Sequence, residues 1–338
     1  MATESRSKLI LKIIIPVAIG IGMVVWLFGR EFNIETLREI KLTPTAAVGL
    51  GLALVALFGR DFGMAWRFHT LSDMRLSWQS SAKVTMLCEF TSAITPTSVG
   101  GSALSMVFMN REGIKLGRAT AITLTTLVLD EGFFMVFCPM LFFVISPDRL
   151  FGFAHGAAAH DLQVLFWIVY GVISLIAITL YIGIFRSPRT IALILSKIFS
   201  LPVLKRWKKD VEELNDSLLI TSAELRDKPL RWWIAPAMAT IVSWLSRFAV
   251  VNALMFAFIP ETDQITVLGR QFIVWALLTF TPTPGGSGVS EMLFKTYYSD
   301  IVFGPMLMVL AIVWRIFTYY VYLLIGFCMI PTLLKHKK

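Results

Sequence analysis

The sequence predicts an all-α polytopic membrane protein: six transmembrane helices plus two re-entrant helical hairpins in an inverted-topology repeat. Three observations point there. The 338-residue chain is 56% hydrophobic and only 16% charged, with a mean hydropathy of +0.72, far less polar than a soluble domain. Its Lys and Arg residues are divided unevenly among the segments that join the apolar runs. One Thr-Pro-Thr pattern followed by Gly-Gly occurs twice, each time breaking an apolar stretch.

Six segments reach the ~20 apolar residues needed to cross a bilayer. They are roughly Leu9–Phe28, Pro44–Phe68, Ala119–Ile145, Leu162–Phe185, Trp232–Phe258 and Pro305–Ile330. The first follows "MATESRSKLILK" without a small-residue cleavage site, and reads as an anchor helix rather than a cleaved signal peptide. Two further apolar stretches are interrupted: Lys83–Asn110 at "TPTSVGG" and Gln271–Ser299 at "TPTPGGSG". Each half has about 10–14 residues, about 15–21 Å of helix, too short for the ~30 Å hydrocarbon core. Each stretch either crosses as one broken helix or turns back on itself. Charge decides between these. With a cytoplasmic N-terminus and two re-entrant hairpins, cytoplasmic segments carry 22 of the 31 Lys and Arg, Arg67 at the end of its span among them, and outer segments carry five, including Arg270. With both stretches crossing, the split becomes 11 inside and 16 outside. The positive-inside rule selects hairpins, with both termini on the cytoplasmic side of the inner (plasma) membrane.

The hairpin reading exposes the repeat. "ITPTSVGGS" (Ile94–Ser102) matches "FTPTPGGSG" (Phe280–Gly288), and the order span, span, hairpin, span is given twice in opposite orientations. The first unit is 1–150 with hairpin 83–110. The second is 151–338, with hairpin 271–299 and a basic cytoplasmic loop at 186–231. Such repeats, with broken helices near the midplane, are a transporter architecture. In the loop, Leu204, Trp207, Val211, Leu214, Leu218 and Leu225 recur at helical spacing behind "KRWKKD". This predicts an amphipathic helix, either on the inner leaflet or packed against the ends of the spans.

Charge inside apolar spans costs ~2.5–3.5 kcal/mol per residue on insertion scales, so it marks candidate sites. Arg60, Asp61 and Lys295 lie toward the ends of their segments, where they can snorkel. Asp130, Glu131, Arg247 and Arg315 are central, and Glu89 and Glu291 sit in the broken stretches. Gly100–Gly101 and Gly285–Gly286 permit tight turns. A helix restarts after each pair, and its free N–H groups favour an anion. Ser102, Ser287 and Ser290 add hydroxyl donors, and Arg247 and Arg315 offer forked donors to a phosphate. Glu89, Asp130 and Glu131 balance the arginines or carry protons. The competing reading is a set of structural salt bridges.

Other chemistries find little support. Cys88, Cys138 and Cys328 lie in apolar stretches, and His69, His155, His160 and His336 are scattered, so neither a disulfide framework nor a metal set is expected. There is no G-x-S-x-G motif and no P-loop. No cofactor is expected. The net charge of +9 reads as topology rather than as a nucleic-acid surface.

"PGGSGVSEMLF" (Pro284–Phe294) resembles the P-G-G-x-G-x-x-E signature of the lysylphosphatidylglycerol synthase transmembrane-region family. "TSVGGSALSMVFMNREGI" (Thr97–Ile114) resembles that family's earlier Gly-Gly segment, without a Pro before its Gly-Gly. The resemblance implies movement of a phospholipid between leaflets, with Gly285, Gly286, Gly288 and Glu291 at the matched positions. It implies membrane lipids as partners, including anionic or aminoacylated ones. Fused members carry a soluble aminoacyl-transferase domain that has no counterpart in this sequence, so a non-enzymatic flippase is expected. Two alternatives stay open: an enzyme modifying lipid headgroups, and a transporter of a small soluble anion. Homo-oligomerisation is left open too.

Overall fold

The computed structural model describes residues 43–95, 99–152, 157–187, 189–190, 219–279, 281 and 283–334. Every regular element among them is helical. In chain order they are α1 (Pro44–Leu71), α2 (Trp78–Ile94), α3 (Val99–Arg111), α4 (Leu116–Val144), the short α5 (Pro147–Leu150), α6 (Ala157–Tyr181), α7 (Leu230–Phe258), α8 (Gln264–Thr279), α9 (Val289–Tyr298), α10 (Pro305–Arg315) and α11 (Val321–Leu334). A 3-10 turn at Pro284–Gly286 precedes α9. π-helical turns at Ile182–Arg186 and Ile316–Tyr320 follow α6 and α10.

Among the described residues, five helices are long and apolar enough to cross a membrane: Pro44–Leu71, Leu116–Val144, Ala159–Arg186, Leu230–Phe258 and Pro305–Gly326. They coincide with five of the six spans expected from sequence. The other, Leu9–Phe28, lies outside the described residues. Their outer faces carry bare apolar side chains such as Phe58, Phe143 and Leu230, at 71, 89 and 85% exposure. In water such a shell would be unstable; in lipid it costs nothing.

Packing starts from small residues. α1 and α7 run antiparallel in close contact. A Cβ at Gly49 would lie 2.4 Å from Ala257 Cβ, one at Gly59 2.6 Å from Ser246 Oγ, and one at Gly63 2.6 Å from the Ser243 nitrogen. Glycine on one helix face lets two backbones approach where no hydrophobic force drives them together. Against this pair packs an aromatic layer from α4, α7 and α8. Phe134 meets Trp244 edge-on at 4.8 Å, and Phe248 lies 4.5 Å from Phe272.

The two interrupted stretches each form two short antiparallel helices. The ends of α2 and α3 are tied by Ser80 and Lys83, which donate to Glu112 at 2.9 and 2.5 Å. Near their other ends, a Cβ at Gly101 would fall 1.9 Å from Ser92 Oγ and 2.3 Å from the Cys88 carbonyl. The sequence expectation of a tight turn at Gly100–Gly101 is corrected here. Both lie within α3, and Gly101 serves close packing on α2. In the second pair, Arg270 of α8 donates to Asp300 just beyond α9 at 2.5 and 2.7 Å, and Gln271 donates to Tyr298 Oη at 2.7 Å. At its tip, Gly285, Gly286 and Gly288 have φ of 55, 70 and 83°, a region that L side chains resist. The two pairs touch there: Gly285 N–H donates to the Thr95 carbonyl at 3.4 Å.

Most of the 186–231 loop lies outside the described residues. Its end, helical over 219–226, is packed rather than free. Leu225 is buried beside Ala121, Ile184 and Phe185, and Glu224 accepts from Arg118 at 2.8 Å.

Candidate functional site

A cavity of about 230 Å³ opens between the two helical pairs. α1 supplies Arg60 and Arg67, α2 Glu89, and α4 Asp130 and Glu131. α7 supplies Trp244 and Arg247, the second tip Gly285 and Gly286, and α10 Arg315. Charge thus converges at the meeting point of elements far apart in sequence.

Three ion-pair groups organise this wall. Glu89 holds two arginines: Arg60, and Arg247 at 2.8 Å. This joins α2 to both members of the α1–α7 pair. Asp130 holds Arg67 and also accepts from Trp244 Nε1 at 2.7 Å, fastening α4 to the same pair. The third group belongs to the glycine-rich tip. Glu291 Oε2 accepts from the Gly288 N–H at 2.7 Å and from Ser290 Oγ at 2.8 Å, while Oε1 accepts from Arg315 Nε at 2.9 Å. Arg315 Nη2 also reaches the Gly285 carbonyl at 3.1 Å and Ser287 Oγ at 3.3 Å, and its guanidinium lies over Tyr319 at 4.1 Å. Arg315 is the last residue of α10 before the π turn. Such turns shift the register of a helix face and recur at functional sites.

The pairing leaves arginine donors unspent. Arg60 Nε and Nη1 and Arg67 Nε are buried without a hydrogen-bond partner among the described residues. Among the described residues Arg247 makes one hydrogen bond, to Glu89, and keeps 31% of its side chain exposed. A buried donor left unmade costs ~1–3 kcal/mol, more when charged. Arg247 is thus the arginine of this wall that keeps exposed surface and spare donors, in a geometry that phosphate oxygens match.

Of the residues nominated by sequence, Glu89, Asp130, Glu131, Arg247, Gly285, Gly286 and Arg315 line the cavity. Ser287, Ser290 and Glu291 are buried around Arg315. Gly288 caps α9, and its N–H is occupied by Glu291 rather than open to an anion. Gly101 packs on α2. Gly100 and Ser102 lie in α3, with surroundings outside what is described. Sequence reasoning missed Arg60 and Arg67. It let Arg60 snorkel and counted Arg67 among the cytoplasmic charges, whereas they are 1% and 3% exposed. Their seven-residue spacing was the available signal, because two helical turns put both on one face of α1.

Fold and site together define a helical membrane protein with charge gathered around an internal cavity. The chain belongs to the lysylphosphatidylglycerol synthase transmembrane-region family, whose model matches residues 13–326. It is also similar to a UPF0104 membrane protein of Archaeoglobus fulgidus, at 25% identity over 289 residues, covering 81% of this chain and 84% of that one. No solved structure matches it significantly.

Proposed function

We propose that this protein moves a phospholipid, or a modified phospholipid, from one leaflet to the other without changing it chemically. The headgroup phosphate enters the cavity and pairs with the remaining donors of Arg247 and Arg315, while the acyl chains stay in lipid. The two helical pairs enter the membrane from opposite sides as re-entrant hairpins, in an inverted repeat with both termini cytoplasmic. Family membership supports a lipid substrate, and the motif glycines support the second tip as part of the site. One observation carries the reading: four arginines line a cavity where the two helical pairs touch, and Arg247, held by Glu89 through one nitrogen, keeps part of its side chain exposed. Phosphate transfer through hydrocarbon needs such a relay, because an unpaired ion there is prohibitive.

The test is translocation of tail-labelled phosphatidylglycerol in liposomes carrying the purified protein. Replacing Arg247 and Arg315 together with Ala is expected to slow it at least ~10-fold, since lost charge-assisted bonds to phosphate are worth ~1.5–3 kcal/mol each. Equal rates in variant and wild type would remove the proposed site. A lipid of altered mass after incubation would favour an enzyme, and uptake of free inorganic phosphate without lipid movement would favour a soluble-anion carrier.

A further inference from the structure

Glu131 stands apart from the other acidic groups around the cavity. Glu89, Asp130 and Glu291 are each held by an arginine. Glu131 also lines the cavity and is partly buried, yet no hydrogen bond or ion pair among the described residues engages its carboxylate. Its orientation follows from helix spacing: Leu127 and Phe134, one turn to either side on α4, line the same cavity.

The groups around it fix what its charge does. On its own helix are Asp130 and, two turns on, the buried Cys138. α1 presents Arg60 and Arg67, α2 Glu89, α7 Arg247, and α10 Arg315, with Tyr319 just after it. α6 and α8 face the cavity with uncharged groups: Ile173 from α6, and Gln271, Trp275 and Thr279 from α8. α3 meets α4 through Ser105 on Thr123. Among the described residues, four arginines are balanced by Glu89, Asp130, Glu131 and, behind Arg315, Glu291. With Glu131 ionised these eight groups sum to zero. With Glu131 protonated they carry one net positive charge, which a monoanionic headgroup phosphate offsets. Three of the carboxylates cannot make this exchange without releasing an arginine.

Resting on the lipid-transport reading above, we propose that Glu131 is a proton-coupling site: it takes up one proton when an anionic lipid headgroup enters the cavity and gives it back when the headgroup leaves. No bond to the lipid forms or breaks, and the proton comes from and returns to water. The site carries the same net charge when empty as it does with Glu131 protonated and a phosphodiester bound, so a transmembrane proton gradient sets the direction of net lipid movement.

The experiment is binding of short-chain phosphatidylglycerol, whose phosphodiester stays ionised throughout, to the purified full-length protein between pH ~5 and ~9. Linkage of one proton makes affinity fall toward about tenfold per pH unit on the alkaline side. Glu131→Gln, permanently neutral, is expected to bind with the high affinity of the acidic limit and no slope. Glu131→Asp, which still titrates, should keep the slope and so excludes a packing role. A flat profile in wild type, or the same slope in Glu131→Gln, overturns the coupling while lipid binding stands. Failure of wild type to bind the lipid at any pH overturns the transport reading, and the coupling with it.

Discussion

At the residue scale, the glycine-rich tip shows why "PGGSGVSE" has its composition. Gly285, Gly286 and Gly288 hold positive φ, and Glu291, three residues past Gly288, closes the turn by accepting the Gly288 N–H. The same carboxylate then orients Arg315. The glycines and the charges were legible in the sequence; the partnership was not, because Arg315 is 24 residues away and only packing brings it back. The competing salt-bridge reading and the site reading share residues, since Glu89, Asp130 and Glu291 hold arginines in place while leaving donors over. Glycine positions separate two kinds of constraint. Gly286→Ala places a Cβ at φ 70° with its nearest neighbour, Leu278 Cδ2, 3.3 Å away. Gly285→Ala adds to similar strain a contact of 2.2 Å with the Tyr319 ring. Both variants are expected to lose ~1–2 kcal/mol from left-handed backbone strain. Gly285→Ala should lose more, and should slow lipid movement, because Tyr319 lies against Arg315. Thermal unfolding in detergent and the liposome assay read the two effects separately. Equal stability of the two variants would mean that Tyr319 yields freely.

At the element scale, existence was easier to read than boundaries. The spans follow from apolar length, and among the described residues five helices are long and apolar enough to be such spans. The broken stretches were placed at 83–110 and 271–299, but their first helices begin earlier, at Trp78 and Gln264. The hidden signals were caps. Ser77 accepts the Ser80 N–H at 3.1 Å to start α2. Asp263 accepts the Ile265 N–H at 3.1 Å and Thr266 Oγ1 at 2.7 Å to start α8. Polar residues before an apolar run look like loop until the cap is drawn. The hydroxyl of Thr266, with help from backbone N–H groups and Arg149, holds the Asp263 carboxyl below its ordinary value. A lowered folded-state pKa means that the cap's contribution is complete above the unfolded carboxylate range and is lost as pH falls through the folded value. Asp263→Ala is therefore expected to cost ~0.5–2 kcal/mol, the usual worth of an N-cap. Its deficit in melting temperature against wild type should hold steady from neutral pH down to ~5 and shrink below ~4. A deficit independent of pH would show that the charge contributes nothing to the cap.

For the whole molecule, the question is how the two helical pairs sit across the bilayer. Each pair runs antiparallel, with its open ends clamped by Lys83–Glu112 in the first and Arg270–Asp300 in the second. The helices are short: α2 with 17 residues is about 25 Å and α3 with 13 about 20 Å. α8 with 16 residues is about 24 Å and α9 with 10 about 15 Å. Charge counting from sequence favoured both hairpins turning back, but it used Arg67 and Arg270 as loop charges, and both are buried in ion pairs. Moving two residues leaves the bias intact because the other cytoplasmic Lys and Arg outnumber them. The expectation can be put to a direct chemical test. In a background lacking Cys88, Cys138 and Cys328, single cysteines at the exposed positions Gln79, Lys115, Glu261 and Ser299 are probed with a membrane-impermeant thiol reagent in oriented vesicles. Gln79→Cys and Lys115→Cys should react from one side, and Glu261→Cys and Ser299→Cys from the other. Reaction of Gln79→Cys and Lys115→Cys from opposite sides would mean that the first pair crosses the membrane. All four reacting from one side would leave two hairpins but remove the inversion. The inversion is what matters for transport: tips approached from opposite faces can be opened in turn, and a headgroup held at Arg247 and Arg315 would then meet first one leaflet and then the other.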